Sequence, residues 1–220
     1  MSIFASMNTL MKDPESAASN PALAPRLLIG AALCVAVYAA AAGFFQGGSS
    51  VALAVLKMPL ILFGSVLLCI PSLYILTTLS GATYTPREFG AAVAGFCAIA
   101  GLILLALMPV SWLFSVSTLS LGFVVWLHIL VWMTALVFAR RLLIRTASTA
   151  RGAVGFWLVL LFLVSLQMTT YFRPVLWRSP GAPLIELEKR SFFAQVEAVA
   201  DWKPPAPAPL PRRGITNAQK

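Results

Sequence analysis

The chain has 220 residues, 60% of them apolar and only 10% charged, with a net charge of +9 and a mean hydropathy of +0.88. Soluble domains carry about 25% charged and about 45–50% apolar residues, so this chain has too little polar surface to cover a water-soluble core. Nor is the basic excess a nucleic-acid footprint. Of sixteen basic residues, four (Arg140, Arg141, Arg145 and Arg151) share one short stretch between apolar runs and eight follow Tyr171, the flanking pattern of membrane spans.

The pattern predicts an all-α, polytopic transmembrane bundle of about five spans, with an amphipathic C-terminal helix. Residues 1–26 are polar, with prolines at 14, 21 and 25; the weakly apolar opening at 1–11 reads either as a short interfacial helix or, preferably, as a frayed N-terminal tail. Asp13 and Glu15 argue against a cleaved signal, so the first span is taken as uncleaved despite the small-residue run after Tyr38.

That span covers 27–45. Ala32, Ala36 and Ala40 recur at every fourth position, with Ala39 and Gly43 beside them, a spacing that lets two helices approach closely. After a turn at 46–50 and a brief interfacial helix at 51–58, the second span covers 59–79. Lys57 is expected to reach the headgroups by snorkelling. Pro71 should kink the span, and the carbonyl it frees needs another donor, from Ser72, Thr77 or a neighbouring helix. The stretch 57–81 is read as the helix around which the others pack.

The third span, 89–107, ends at Pro109. Gly90, Ala94 and Ala98, with Cys97 and Gly101 alongside, make it the expected most buried helix. An uncharged connection at 111–120 places Trp112 and Phe114 in the aromatic belt. The fourth span, 121–139, ends at Arg140 and Arg141, and the fifth covers 153–171. Cys34, Cys69 and Cys97 all lie in apolar runs and read as packing residues. Beyond the spans, 172–203 is an amphipathic interfacial segment whose helix presents Ile185, Phe192, Val196 and Val199 on one face. Residues 204–220 form a proline-rich, disordered tail.

Basic residues in short loops place the N-terminus in the cytoplasm. Five spans then put the C-terminus in the periplasm, although Arg173, Arg178, Lys189 and Arg190 close behind the last span pull the other way. The short loops are given the greater weight.

Chemistry is sparse. His128 is the sole histidine and the sole ionisable residue within a predicted span. It reads either as a proton or ion-path residue or, preferably, as a neutral ring hydrogen-bonded to another helix. Gln167, Thr170, Tyr171 and Arg173 form a second polar group at the outer face, with Arg173 able to bind a lipid phosphate or a tail carboxylate. The preferred reading there is an ordinary interfacial helix end, with Tyr171 and Arg173 anchoring its depth. Nucleotide, protease and hydrolase motifs are missing, so no catalytic, cofactor or metal residues are assigned.

Lys57-Met-Pro-Leu, Ile70-Pro-Ser-Leu-Tyr74, Gln167-Met, Arg173-Pro and Ser191-Phe-Phe together resemble a group of bacterial polytopic inner-membrane proteins of the Yip1-like class. That group shows K-x-P-L-L, F-P-S-L-Y-V-F-N, Q-M-x-W-x-L-R-P and N-F-F; here Ile70, Thr77 and Thr170 replace the phenylalanine, asparagine and tryptophan. The resemblance implies five spans, a cytoplasmic N-terminus and no enzymatic activity. The functional expectation is a scaffold or accessory subunit of a membrane assembly, in contact with lipids and with a membrane-protein partner or a second copy. The alternative is a small transporter or channel component using the kinked second span and His128. Lys57, Pro71, Tyr74, His128, Gln167 and Arg173 are the candidate site residues.

Overall fold

The computed structural model describes residues 2–43, 50–118, 121–146 and 148–171. These form seven α-helices: α1 (Ile3–Lys12), α2 (Pro14–Ser19), α3 (Ala24–Gly43), α4 (Ser50–Leu79), α5 (Pro86–Ser117), α6 (Leu121–Thr146) and α7 (Arg151–Tyr171), with a short 3₁₀ turn at Ser148–Ala150. Five of them, α3 to α7, are long and apolar enough to cross a membrane. The protein is a polytopic helical membrane protein. The expected amphipathic segment at 172–203 and the tail at 204–220 lie outside the described residues.

The spans pack as a ring in the order α3, α5, α6, α7, α4, with α4 returning to α3. Small residues set the tightest seam. A β-carbon on Gly101 would sit 3.1 Å from the Ala31 carbonyl oxygen and 3.3 Å from Cys34 Cβ, so α3 and α5 approach backbone to backbone. α5 is the most enclosed span, with 61% of its most apolar stretch buried against 28% for α7, as the small residues of the third span predict.

Four expectations need correction. The organising helix is α5; α4 packs on α3 and α7 and scarcely touches α5. Length and a proline drew attention to the second span, whereas residue size decides how many neighbours a helix can take. Secondly, α4 starts at Ser50 and runs through both Pro59 and Pro71, absorbing the supposed interfacial helix. Thirdly, α5 passes Pro109 and reaches Ser117, and α6 passes its arginine pair and reaches Thr146. In hydrocarbon every backbone group needs an internal partner, so a helix that loses one bond at proline still gains by continuing.

Finally, the N-terminal tail is two packed helices. Ser2 Oγ accepts from the Ala5 N–H and Asp13 Oδ1 from the Ser16 N–H, both at 3.2 Å, capping α1 and α2. Met7 packs on Gly30 of α3, and Ala18 on Gly95 of α5. Leu10, Ala17 and Ala18 are buried. Glu15 pairs with Arg145 at 3.5 Å, which sets these helices beside the last turn of α6.

Polar capping also fixes the α4–α5 turn. Gly81 has φ +84 and lets the Ala82 N–H bond back to the Thr77 carbonyl at 3.0 Å. Pro86 then opens α5 behind a Thr85–Glu88 capping box.

Candidate functional site

The bundle has a lower end, carrying α1, α2 and the α4–α5 turn, and an upper end, carrying Gly43, Ser117 and Leu121. Its buried polar groups gather towards the upper end. Tyr38 of α3 is 1% exposed and His128 of α6 is 7% exposed. The Tyr38 hydroxyl lies 2.6 Å from His128 Nδ1, with the rings edge to face. A phenol is a much stronger donor than a neutral imidazole, so Tyr38 donates and the neutral ring keeps its own proton on Nε2.

Two further contacts fix how α5 and α6 face one another. The Phe114 and Phe123 rings are 5.9 Å apart, and Leu142 lies against Gly95. That antiparallel register brings Ser111 level with the turn holding His128. Ser111 sits beside the Tyr38 hydroxyl without meeting hydrogen-bond geometry. Trp132 follows His128 by one turn on the same face of α6 and is buried. Among the described residues, six buried side-chain polar atoms have no hydrogen-bond partner, and four of these are Ser111 Oγ, Ser115 Oγ, His128 Nε2 and Trp132 Nε1.

Lower in the bundle, Trp157 of α7 is fully buried, stacks edge-on to Phe96 of α5 at 5.4 Å, and donates its indole N–H to the Cys69 carbonyl of α4 at 2.8 Å. Ser72 Oγ donates to the same carbonyl at 2.8 Å. Pro71 removes the donor for the Leu67 carbonyl; the carbonyl that gains two donors is its neighbour two residues on. The expected rescue of the freed carbonyl is therefore not seen among the described residues: Ser72 and Trp157 both donate to Cys69, and Thr77 donates to the Leu73 and Tyr74 carbonyls.

This shared contact defines a common level on α4, α5 and α7. Rising 1.5 Å per residue, Ser111 lies about 22 Å above it, Lys57 about 18 Å and Gln167 about 15 Å. Three of the sequence-derived candidates, Lys57, His128 and Gln167, therefore belong to the upper part of the bundle, on three different helices. Lys57 is buried, at 7% exposure, rather than snorkelling. The early start of α4 sets it two turns inside the helix instead of at its mouth. Gln167 is exposed.

Pro71 and Tyr74 do not join them. Pro71 is exposed on α4, and Tyr74, lower still, packs edge-on to Phe89 at 5.2 Å. Arg173 lies outside the described residues. Cys34, Cys69 and Cys97 are free thiols, in keeping with packing roles, and no group of three metal-ligating side chains occurs among the described residues.

Sequence reasoning missed Tyr38, Trp132 and Trp157. Each is an aromatic residue with one polar atom inside an apolar run. That atom must find a partner in hydrocarbon, which is the signal that singles them out. No family model, curated protein or solved structure matches this chain.

Proposed function

We propose that this chain is a non-enzymatic protein of the bacterial inner membrane, acting through contacts as a scaffold or accessory subunit of a membrane assembly. The observation that carries this reading is the use made of interior polar groups. The Tyr38–His128 bond ties α3 to α6, and the Trp157–Cys69 bond ties α4 to α7. Both serve cohesion between helices. The one histidine, which a proton path would need, is engaged in the first of them. The Yip1-like resemblance of the sequence points the same way, as do lipids and a membrane-protein partner or second copy as the molecules contacted.

α7 offers the docking face. It is the least enclosed span, and Phe156, Val159 and Leu163 stand exposed along one side at helical spacing. A photo-crosslinking residue placed at Val159 or Leu163 should yield one discrete protein adduct in native membranes, absent when the same residue replaces Leu67 on α4. Adducts to lipid alone at every position, together with solute flux in liposomes holding only this protein, would favour the small-transporter reading.

A further inference from the structure

The unpartnered groups around His128 share a chemical character that cohesion does not explain. With Tyr38 donating to Nδ1, His128 Nε2 carries a proton and is a donor; the indole Nε1 of Trp132 is a donor in any state. Both atoms are buried and without a partner among the described residues, and they lie one turn apart on the same face of α6. Ser111 and Ser115 behave unusually as well. Ser117, Thr134 and Ser165 each donate to the carbonyl four residues back. The hydroxyls of Ser111 and Ser115 form no such bond. Nothing needs to be satisfied by a proton donor here, and two N–H groups need an acceptor.

An unpaired donor in hydrocarbon is expensive, and here two of them lie one helical turn apart on α6. Beyond the contact-based role proposed above, we infer that the upper interior of the bundle is a binding site for a carbonyl oxygen carried on an apolar molecule. His128 Nε2–H and Trp132 Nε1–H donate to that oxygen, and Ser111 lies within the same cluster. Tyr38 is a positioning residue: it fixes the tautomer that makes Nε2 a donor. A neutral carbonyl matches neutral donors inside the membrane, where an anion would be costly to desolvate. Two membrane-soluble sources supply such a group, a quinone headgroup and an acyl ester of a lipid.

Because the chain holds a single histidine, imidazole ¹⁵N labelling gives one ring to observe. The whole protein in an alkyl maltoside, which has no carbonyl, should show the proton on Nε2. Adding a short-chain benzoquinone, or a short-chain diacyl phospholipid, should shift the Nε2 proton downfield and leave Nδ1 almost unchanged. The arm that shifts identifies the source, and an ether-linked lipid lacking the carbonyl should do nothing. Trp132→Phe should weaken the responding ligand by about tenfold, the loss of one buried hydrogen bond, with the Nδ1 signal retained as evidence of folding. Tyr38→Phe should move the resting tautomer mixture before any ligand is added. An Nδ1–H ring in the resting wild-type protein would overturn the inference. So would an Nε2 signal indifferent to both carbonyl probes, or one that answers the ether control equally.

Discussion

Tyr38 has one polar atom, and in a bilayer that atom decides what the residue does. Its hydroxyl meets His128 across the bundle at 2.6 Å, and both side chains are removed from solvent. Hydrogen bonds between transmembrane helices contribute about 0.6 kcal/mol on average and up to about 2 kcal/mol. Tyr38→Phe and His128→Ala should each destabilise the bundle. Their effects should fall short of additive by about 1 kcal/mol, the signature of a shared interaction. Unfolding of the four cycle members by denaturing detergent measures this; strictly additive losses would show the contact to be idle. The histidine was visible in the sequence because an imidazole stands out among Val124, Val125 and Val131. Its partner was not, because the two lie on helices ninety residues apart and a tyrosine near a span end reads equally well as an interfacial anchor. Lys57 was misjudged for a related reason: a charge next to Pro59 suggested a helix start, when the helix had begun two turns earlier.

Among the elements, α5 shows how residue size governs packing. Gly101 faces the Ala31 backbone so closely that a β-carbon would lie 3.1 Å from a carbonyl oxygen and 3.2 Å from Cα, and backbone cannot rotate aside as a side chain can. Gly90, on the same helix, has nothing within 4 Å of the equivalent position. Gly101→Ala should therefore cost about 1–3 kcal/mol by forcing α3 and α5 apart. Gly90→Ala should be neutral or stabilising by up to about 1 kcal/mol through helix propensity. Thermal unfolding in detergent separates the two, and equal effects would mean that the seam does not govern stability. Trp157→Phe is a sharper probe of the α4–α7 contact, since it keeps most of the buried ring and removes only the bond to Cys69. A loss of about 1 kcal/mol is expected, and none at all would show that Ser72 alone satisfies that carbonyl. Small-residue stripes were legible in the sequence and marked α5 as the most enclosed span. Helix ends were less so, because Pro59, Pro71 and Pro109 break helices in water but are tolerated where no solvent competes for the freed backbone.

For the molecule as a whole, the N-terminal helices report how the lower end is built. Their attachment is apolar. The Glu15–Arg145 pair has both side chains 60% exposed, and such surface pairs contribute between about 0 and 1 kcal/mol. Ala18 is fully buried beside Gly95 and Leu142. Glu15→Gln should leave proteolysis of the first twenty residues unchanged, whereas Ala18→Leu should lift α2 from α5 and expose it to cleavage. A short helix at 1–11 was legible as an option, but its packing was not, because six or ten residues show too little periodicity to announce a buried face; the partner surface on α3, α5 and α6 supplies it. Five spans, by contrast, followed directly from the hydropathy. The same end gathers Lys12, Arg26, Arg87, Arg140, Arg141, Arg145 and Arg151 around the helix termini, the charge bias on which the proposed cytoplasmic placement of this end rests. With an odd number of spans, residue 171 emerges on the opposite side. A reporter active only in the periplasm, fused after Lys220, should be active, and one fused ahead of Met1 should be silent. Because α1 is held against α3 by Met7 and Gly30, a cysteine replacing Asn8 should resist a membrane-impermeant maleimide until the membrane is opened. An inactive C-terminal reporter with a labelled Asn8→Cys variant would invert the bundle and leave the basic end facing outward, against the charge bias. An inactive reporter with a protected cysteine would instead mean that the chain returns across or into the membrane after Tyr171, where Arg173, Arg178, Lys189 and Arg190 add positive charge that the cytoplasmic side would hold.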